Sequence, residues 1–484
     1  MKPPSPPAPP RRRTWFIVIA LAAAGAAALG ASWWRGSVRA QIARDAAANV
    51  PDLREAHPEL GERIRSALDQ IKHHQHPAAA LATLTRLYYA NGWLEPAAAT
   101  CAGMMELEPR QPFWTYLLAR LRSNRGQLDE ALPLLQRTIE LAPDYLPPRL
   151  KAAEAMAKLN QADDAIAMDR TVLARDPANI YAWVGLGNIY SAQQKWDAAR
   201  DSFQHAIAAA DSFRPAWLGL VSVYDATGNA AAATEAQEHV DDVSRSPDSP
   251  DPWIDGLMEE CYNVYYLRVA AFSSTDLAYS RRLLERAVRL QPQDAASQRD
   301  YGMLLFQAKA FAEAQRTLLL ATTLAPDDSE NWLSLLVYLR AIRDEAGTEQ
   351  AIRDGLAHCP SSPGLWLERG RLLARARAFD GAFAAFAKAA ALEPNDAAPH
   401  VESAVAYFQI QQTESALREL KLALAIEPNH PFAQIVMARY AIMAGDQPTA
   451  QSFLAKARLN PKVSPEDKKQ LAEAYAAGFG PPAR

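Results

Sequence analysis

The stretch that decides the fold runs from Pro177 to Ala210 and reads PANIYAWVGLGNIYSAQQKWDAARDSFQHAIAAA. It opens on a proline, and prolines recur at 34-residue intervals before it and, in a second series, after it. The two series are Pro109, Pro143 and Pro177, and then Pro292, Pro326, Pro360, Pro394 and Pro428. Proline cannot continue a helix, so each one marks a helix end. The fixed period therefore predicts a stacked array of helical repeats.

A second regularity is independent of the prolines. Where two helices cross closely, only a small side chain fits between them. Twelve positions before each repeat end the residue is small in every unit: Ala97, Ala131, Ala165, Ala199, Ala233, Ser280, Ala314, Thr348, Ala382, Ala416 and Ala450. The two regularities agree and indicate eleven helix pairs.

The same stretch carries a family signature, formed by Trp183, Leu186, Gly187, Tyr190, Ala199, Phe203 and Ala206. These residues resemble the tetratricopeptide repeat, and the resemblance extends over about residues 75–461. It implies an all-α fold, a right-handed superhelical α-solenoid of about eleven tetratricopeptide-like helix pairs. We expect one transmembrane helix to precede the solenoid, on the separate grounds given below. Because neighbouring units must stack to bury their apolar faces, the signature residues are expected to be core.

One interruption divides the array. The chain between the two proline series is longer than a whole number of 34-residue periods, and the excess falls in the polar, Pro-rich residues 241–252. We expect this loop to act as a hinge or a rigid corner. The predicted layout is a Pro/Arg leader at 1–13, a transmembrane helix at 14–34, a linker and capping helix at 35–74, a first array of five units at 75–244, a loop at 245–257, a second array of six units at 258–461, and a capping helix and tail at 462–484.

Residues 14–34 contain no charged side chain. As a helix they would span about 30 Å, the thickness of a bilayer core. Trp15 lies near one end, and Trp33 and Trp34 lie at the other, where tryptophan favours the lipid headgroups. The three arginines at 11–13 favour a cytoplasmic N-terminus, which places the array on the exported, periplasmic side.

A cleaved signal peptide is the alternative interpretation. Residues 28–30 form a small-residue cleavage site, and residues 12–16 faintly resemble a twin-arginine signal. The paired tryptophans at 33–34 extend the apolar stretch past that site and favour an uncleaved anchor. The array is exported under either interpretation.

Family geometry places the first helix of each unit along a groove, at whose surface we expect aromatic and arginine side chains. Rings offer large contact area, and arginine grips carboxylates or backbone carbonyls. The candidate peptide-groove residues are Arg86, Phe113, Tyr116, Arg120, Tyr181, Asn188, Tyr262, Tyr265, Arg299, Phe306, Arg340, Arg371, Phe408, Phe432 and Arg439. The Lys and Asn clamp that some relatives use for a partner's C-terminal carboxylate is matched only at Asn188.

Composition excludes several other classes of protein. The net charge is -4, which leaves no basic surplus for phosphates, so no nucleic acid is expected. The three cysteines lie far apart, and the histidines at 73, 74 and 76 lie at a helix end, where a solvated turn is the expected role. We find no phosphate loop, HExxH helix or GxSxG elbow. We therefore expect no catalytic residue, cofactor, metal or small-molecule substrate.

The sequence thus predicts a non-catalytic scaffold, held at a membrane by residues 14–34, whose partners are proteins or extended peptides. Assembly of an envelope complex, such as a secretion or pilus apparatus, fits an exported array. The alternatives are an accessory subunit that docks or helps mature an exported enzyme such as a cytochrome, and a secreted repeat protein released by signal cleavage.

Overall fold

The computed structural model describes residues 36–242, 249–460 and 463–480. All regular secondary structure within those ranges is helical. The chain forms two compact units: unit 1 comprises residues up to Met168 together with Pro250–Tyr262, and unit 2 comprises Asp169–Ser249 and the residues from Asn263 onward. The division falls inside one helix and not at the predicted boundary near residue 244.

In unit 1 a helix over 36–46 precedes the capping helix and the first three helix pairs. The helices that follow are Pro58–Lys72, Pro77–Ala90, Leu94–Leu107, Pro112–Asn124, Leu128–Leu141, Pro147–Lys158 and Ala162–Leu173, the last of which ends in unit 2. The predicted loop at 245–257 is wrong over its second half, because Pro252–Asp255 is an α-helical turn and Gly256–Glu260 a 3-10 helix.

Unit 2 contains the remaining eight pairs and a terminal helix. Its helices are Ile180–Ala192, Trp196–Ala209, Arg214–Ala226, Ala230–Asp242, Val264–Ser273, Leu277–Leu290, Ala295–Gln307, Phe311–Leu324, Ser329–Ala341, Glu345–His358, Pro363–Arg375, Phe379–Leu392, Ala398–Gln409, Thr413–Ile426, Pro431–Met443, Gln447–Leu459 and Pro465–Phe479. The eleven predicted pairs are all present, five before the interruption and six after it.

Helix starts follow the local sequence. The side chain of Asn179 accepts a hydrogen bond from the Ala182 amide, and Asp294 accepts one from the Ser297 amide. These caps satisfy amides that the first helical turn leaves without an intrahelical partner. The terminal helix begins in the same way, with Ser464 accepting from the Asp467 amide.

Successive helical repeats are joined by a recurring side-chain bond to the proline position that ends a repeat. The indole N–H of the signature tryptophan, or the amide of a glutamine in its place, donates to the carbonyl oxygen six residues earlier at 2.7–2.9 Å. The pairs are Trp183–Pro177, Trp217–Asp211, Trp332–Pro326, Trp366–Pro360, Gln298–Pro292 and Gln434–Pro428. The bond pairs a carbonyl in the turn that follows one helix with a donor on the next helix.

The turn between the two helices of a pair also repeats. In ten of the eleven pairs, one residue of this turn takes a left-handed conformation, with φ between 58° and 82°. These residues are Gly92, Gly126, Asn160, Gln194, Gly228, Lys309, Arg343, Arg377, Gln411 and Gly445. Glycine adopts this conformation without strain, whereas lysine, arginine and glutamine do so at a cost.

The core lies where the sequence predicts it. None of the eleven small residues is more than 6% exposed. The Phe203 ring is fully buried against Gly187 and Gly219, where an added Cβ would lie 2.5 and 2.3 Å from the ring carbons. These two glycines therefore let consecutive first helices close on one aromatic side chain.

The membrane prediction falls on residues that the structure does not describe. None of the helices within the described ranges is long and apolar enough to span a bilayer. The predicted span at 14–34 lies outside those ranges.

Candidate functional site

The first helices of unit 1 face a segment that returns from later in the chain. We call residues 250–262 the returning segment. We call the surface formed by the capping helix Pro58–Lys72 and the first helices Pro77–Ala90 and Pro112–Asn124, together with Tyr145, the inner face of unit 1. The segment and the face belong to the same compact unit.

The Asp251 carboxylate is the best-buried polar anchor of the returning segment, with the residue 5% exposed. The Tyr116 hydroxyl donates to its Oδ2 at 2.5 Å, and the Tyr145 hydroxyl donates to its Oδ1. The Arg120 guanidinium lies 3.9 Å from Oδ2. Two phenols and a cation therefore converge on one carboxylate, and such charge-assisted bonds are stronger than neutral ones.

The phenols are fixed in their donating form. Burial raises the pKa of Tyr116 well above its ordinary value, and the negative charge of Asp251 raises it further. Burial also raises the pKa of Tyr145, with the hydrogen bond to Asp251 as the next cause. Both hydroxyls stay protonated at physiological pH, so this part of the face selects an acceptor and favours a negative charge.

Trp253 supplies the aromatic anchor two residues later. Its ring stacks on Tyr145 at a centroid distance of 3.8 Å and an interplanar angle of 16°. Phe113 and Tyr116 meet its ring edge-on at 6.2 and 6.0 Å. Stacked and edge-to-face pairs of this kind add to the energy of burying the ring area.

Asn91 binds the backbone of the returning segment rather than a side chain. Its Oδ1 accepts from the Tyr262 amide at 2.7 Å, and its Nδ2 donates to the Glu260 carbonyl at 3.1 Å. An amide that pairs with both a backbone donor and a backbone acceptor recognises a main chain whatever its side chains are.

The end of the segment is held by the capping helix. The Tyr262 hydroxyl donates to Glu59 at 2.8 Å, and Arg63 lies 2.6 Å from the Glu260 carboxylate. Tyr262 is only 5% exposed. The prediction that it lines a groove of the second array is therefore wrong, because it is part of what the inner face of unit 1 holds.

The structure brings three predicted residues, Phe113, Tyr116 and Arg120, to one place. Arg86 lies half-buried on the neighbouring first helix. Composition misidentified the segment, since a polar, Pro-rich stretch is ordinarily a solvated loop. The signal that could have found it is Asp-Pro-Trp, because tryptophan is seldom left in water.

In unit 2 the predicted arginines are engaged within the chain, each with an acidic or amide side chain of a later helix or helix start. Arg340 donates to both oxygens of Glu368 at 2.8 Å, and Arg371 bridges Glu368 and Glu402 at 2.8 and 2.7 Å. The other bonds of this arginine ladder are Arg268–Asp300, Arg299–Asp300, Arg299–Asp328, Arg439–Asp467 and Arg439–Gln470. The ladder ties consecutive repeats together, and a ligand would have to compete for it.

The other predicted residues of unit 2 are spread over several helices. Tyr265 is 63% exposed beside Tyr266, and Phe432 and Asn188 are also exposed. The remaining three pack inward: Tyr181 edge-on against Phe213, Phe306 edge-on against Tyr338, and Phe408 against the core around Leu420. Unit 2 therefore shows no convergence of predicted residues, among those described, comparable to that in unit 1.

Metal ligation and acid–base chemistry find little support in the described ranges. No three His, Cys, Asp or Glu side chains there are grouped to hold a metal ion. Burial raises the pKa of Asp169 to about 8, but this carboxyl is only 2% exposed and is shielded from solvent.

Parts of the chain are similar to known proteins. Residues 125–168 and 373–440 match one tetratricopeptide repeat family, and residues 182–215 match another. No curated protein matches the chain. Among solved structures, yeast Tom70 is 16% identical, with 84% of this chain and 96% of that chain covered and a TM-score of 0.39.

Two further solved structures are similar at this level. The Cut9–Hcn1 hetero-tetramer of APC/C is 12% identical, with 84% and 98% covered and a TM-score of 0.38. PilW, described as a type IV pilus biogenesis factor, is 20% identical, with 38% and 86% covered and a TM-score of 0.34.

The stacked helix pairs and their 34-residue register define a helical repeat protein. The family matches take the identification one step further: residues 125–168, 182–215 and 373–440 are tetratricopeptide repeats.

Proposed function

We propose that this chain is a non-catalytic scaffold that binds polypeptide segments on the first-helix surface of its repeats. The observation that carries the proposal is the inner face of unit 1, which holds 13 residues of polypeptide, 250–262. It does so through a backbone clamp at Asn91 and a carboxylate pocket at Tyr116 and Tyr145. A surface that satisfies both main chain and side chains has the chemistry of peptide recognition.

We further propose that residues 14–34 tether the chain to a membrane, with the repeats on the exported side, where the scaffold gathers proteins into an envelope assembly. Support comes from the uncharged 21-residue stretch and the arginines at 11–13 that precede it. N-terminal sequencing of the mature protein tests the tether, because a start at Ala31 would show that the segment is removed.

Proximity labelling tests the scaffold itself. A labelling enzyme fused to the C-terminus of the full chain is compared with the same fusion carrying Asn91→Ala. We expect a reproducible set of exported neighbours, part of which is lost with Asn91→Ala. A labelled set no different from that of an untethered labelling enzyme would overturn the scaffold proposal.

A further inference from the structure

We propose that the inner face of unit 1 binds, in trans, a partner polypeptide that presents a carboxylate and, two residues later, a large aromatic ring. The returning segment is then an internal competitor that occupies the site until such a partner displaces it. This inference rests on the proposed scaffold function and names the chemistry of its ligand.

The first argument is that the face recognises features that a short peptide can supply. It binds one carboxylate through two hydroxyls, one indole through a ring stack, and one backbone amide and carbonyl through Asn91. Between these anchors, Pro252, Gly256 and Glu259 are exposed. Leu257 lies among them and is only 3% exposed, so it adds one apolar contact to these anchors.

The second argument concerns the cost of leaving the face empty. Tyr116 is fully buried, and the guanidinium of Arg120 lies close to the carboxylate that it faces. Withdrawing Asp251 without a replacement would leave a buried hydroxyl and a cation without their acceptor, which is unfavourable. A ligand of the same chemistry restores both interactions, so exchange is easier than simple opening.

The third argument is where the two anchor residues lie in the chain. Asp251 and Trp253 follow residues 241–250, a polar, Pro-rich stretch. The Asp255 side chain closes a local turn, since it accepts from the Asp251 amide at 3.0 Å. The segment therefore carries its own short turn, which is the form in which the anchors are presented to the face.

The test uses the full chain and a synthetic peptide. The peptide copies residues 250–262, with serine in place of Cys261, and carries a fluorophore for anisotropy. The wild-type chain is compared with the variant Asp251→Ala/Trp253→Ala, in which the internal anchors are removed. We expect the variant to bind the peptide at least about tenfold more tightly, because a competing internal segment lowers apparent affinity by the fraction of open sites.

Matched controls separate recognition from general loosening. Pro252→Ala changes an exposed residue of the same segment and should leave the affinity at the wild-type value. A peptide with asparagine for the aspartate, or alanine for the tryptophan, should bind the double variant at least about fivefold more weakly. Adding Tyr145→Phe to the double variant should weaken binding of the unmodified peptide and reduce its preference for aspartate over asparagine, since Tyr116 and Arg120 still face the carboxylate.

Each other result overturns the inference. Equal affinity for wild type and double variant would show that the segment does not compete. No binding to either, with helical circular dichroism retained, would show that the face is not a peptide site. Asp251→Asn is measured in parallel as a nearly isosteric variant, so that loss of folding in the double variant does not decide the result. Partners found by proximity labelling that persist after Asn91→Ala would keep the scaffold proposal standing even if the peptide fails.

Discussion

Asp169 lies in the helix Ala162–Leu173, and its side chain is pressed against the backbone of Gly185. A Cβ at that glycine would lie 2.5 Å from the Asp169 Oδ2. This oxygen has no hydrogen-bond partner among the described residues. Removal from water is the cause that raises the pKa of Asp169 to about 8 from an ordinary value of 3.8.

The perturbation is Asp169→Asn, which keeps the shape and removes the charge. A raised folded-state pKa means that the native state holds its proton more tightly than the unfolded chain. The native state therefore loses stability as pH rises from about 4 to about 8, and the loss then levels off. The interval from pH 5 to pH 8 is about three pH units. Over it, the free energy of unfolding of Asp169→Asn should grow relative to wild type by up to roughly 4 kcal/mol.

The assay is urea unfolding followed by circular dichroism at pH 5 and pH 9, on the wild-type chain and the variant. Repeat arrays can unfold in steps. Hydrogen exchange of the helix Ala162–Leu173 is therefore measured together with urea unfolding, so that the stability of this helix is followed directly. Asp164→Asn is the matched control, an exposed aspartate on the same helix, and should shift stability by less than about 0.5 kcal/mol. The same difference between Asp169→Asn and wild type at both pH values would refute the reasoning.

Three further predictions concern the repeat geometry. Arg377→Gly relieves a left-handed residue with φ of 60° and should raise the free energy of unfolding by about 0.5 kcal/mol in urea titrations; a loss would contradict the strain. Gly219→Ala should cost about 1–3 kcal/mol, because its Cβ would lie 2.3 Å from the Phe203 ring. A double-mutant cycle with Phe203→Leu should remove most of that cost, and strict additivity would count against the clash. Trp366→Phe loses the 2.8 Å bond to the Pro360 carbonyl and should cost about 1 kcal/mol in thermal unfolding, whereas an unchanged midpoint would deny that bond a stabilising role.

Sequence reasoning reached the repeat fold because its determinants are local and periodic. A small residue and a proline recur within each unit, so the register can be counted without knowing any distant contact. The two capping helices followed from the same logic. The N-terminal one is Pro58–Lys72, and the C-terminal one begins after its N-cap residue Ser464, within the predicted range 462–484. Part of the inner face of unit 1 also followed, since Phe113, Tyr116 and Arg120 occupy periodic positions.

The position of the returning segment on this face could not be counted from the repeat period. Asp251 lies 135 residues from Tyr116 in sequence, and Tyr262 lies 171 residues from Asn91. The returning segment is outside the 34-residue period, so no register places it. Its composition favours solvent, yet two of its residues are satisfied by partners that only the fold supplies.

The arginines of unit 2 show a different limit. An arginine on a first helix has the same sequence position whether it binds a ligand or an internal carboxylate. The partner of Arg340 is Glu368, 28 residues on, and the partner of Arg371 is Glu402, 31 residues on. An acidic residue just short of one period ahead is therefore a sequence sign that such an arginine is already paired.

The junction bond from Trp332 to Pro326, and its counterpart from Trp366 to Pro360, spans six residues in each repeat. Removing 34 residues between equivalent positions of two such repeats recreates the same junction, so a gene encoding this array can shorten or lengthen there by whole units. Unit 1 does not have this freedom. An added repeat between Asn91 and Tyr145 would pull the backbone clamp away from the carboxylate pocket, while the distance along the returning segment stayed the same. Variation in repeat number should therefore be confined to the chain beyond residue 262, and the three pairs before residue 174 should keep their count.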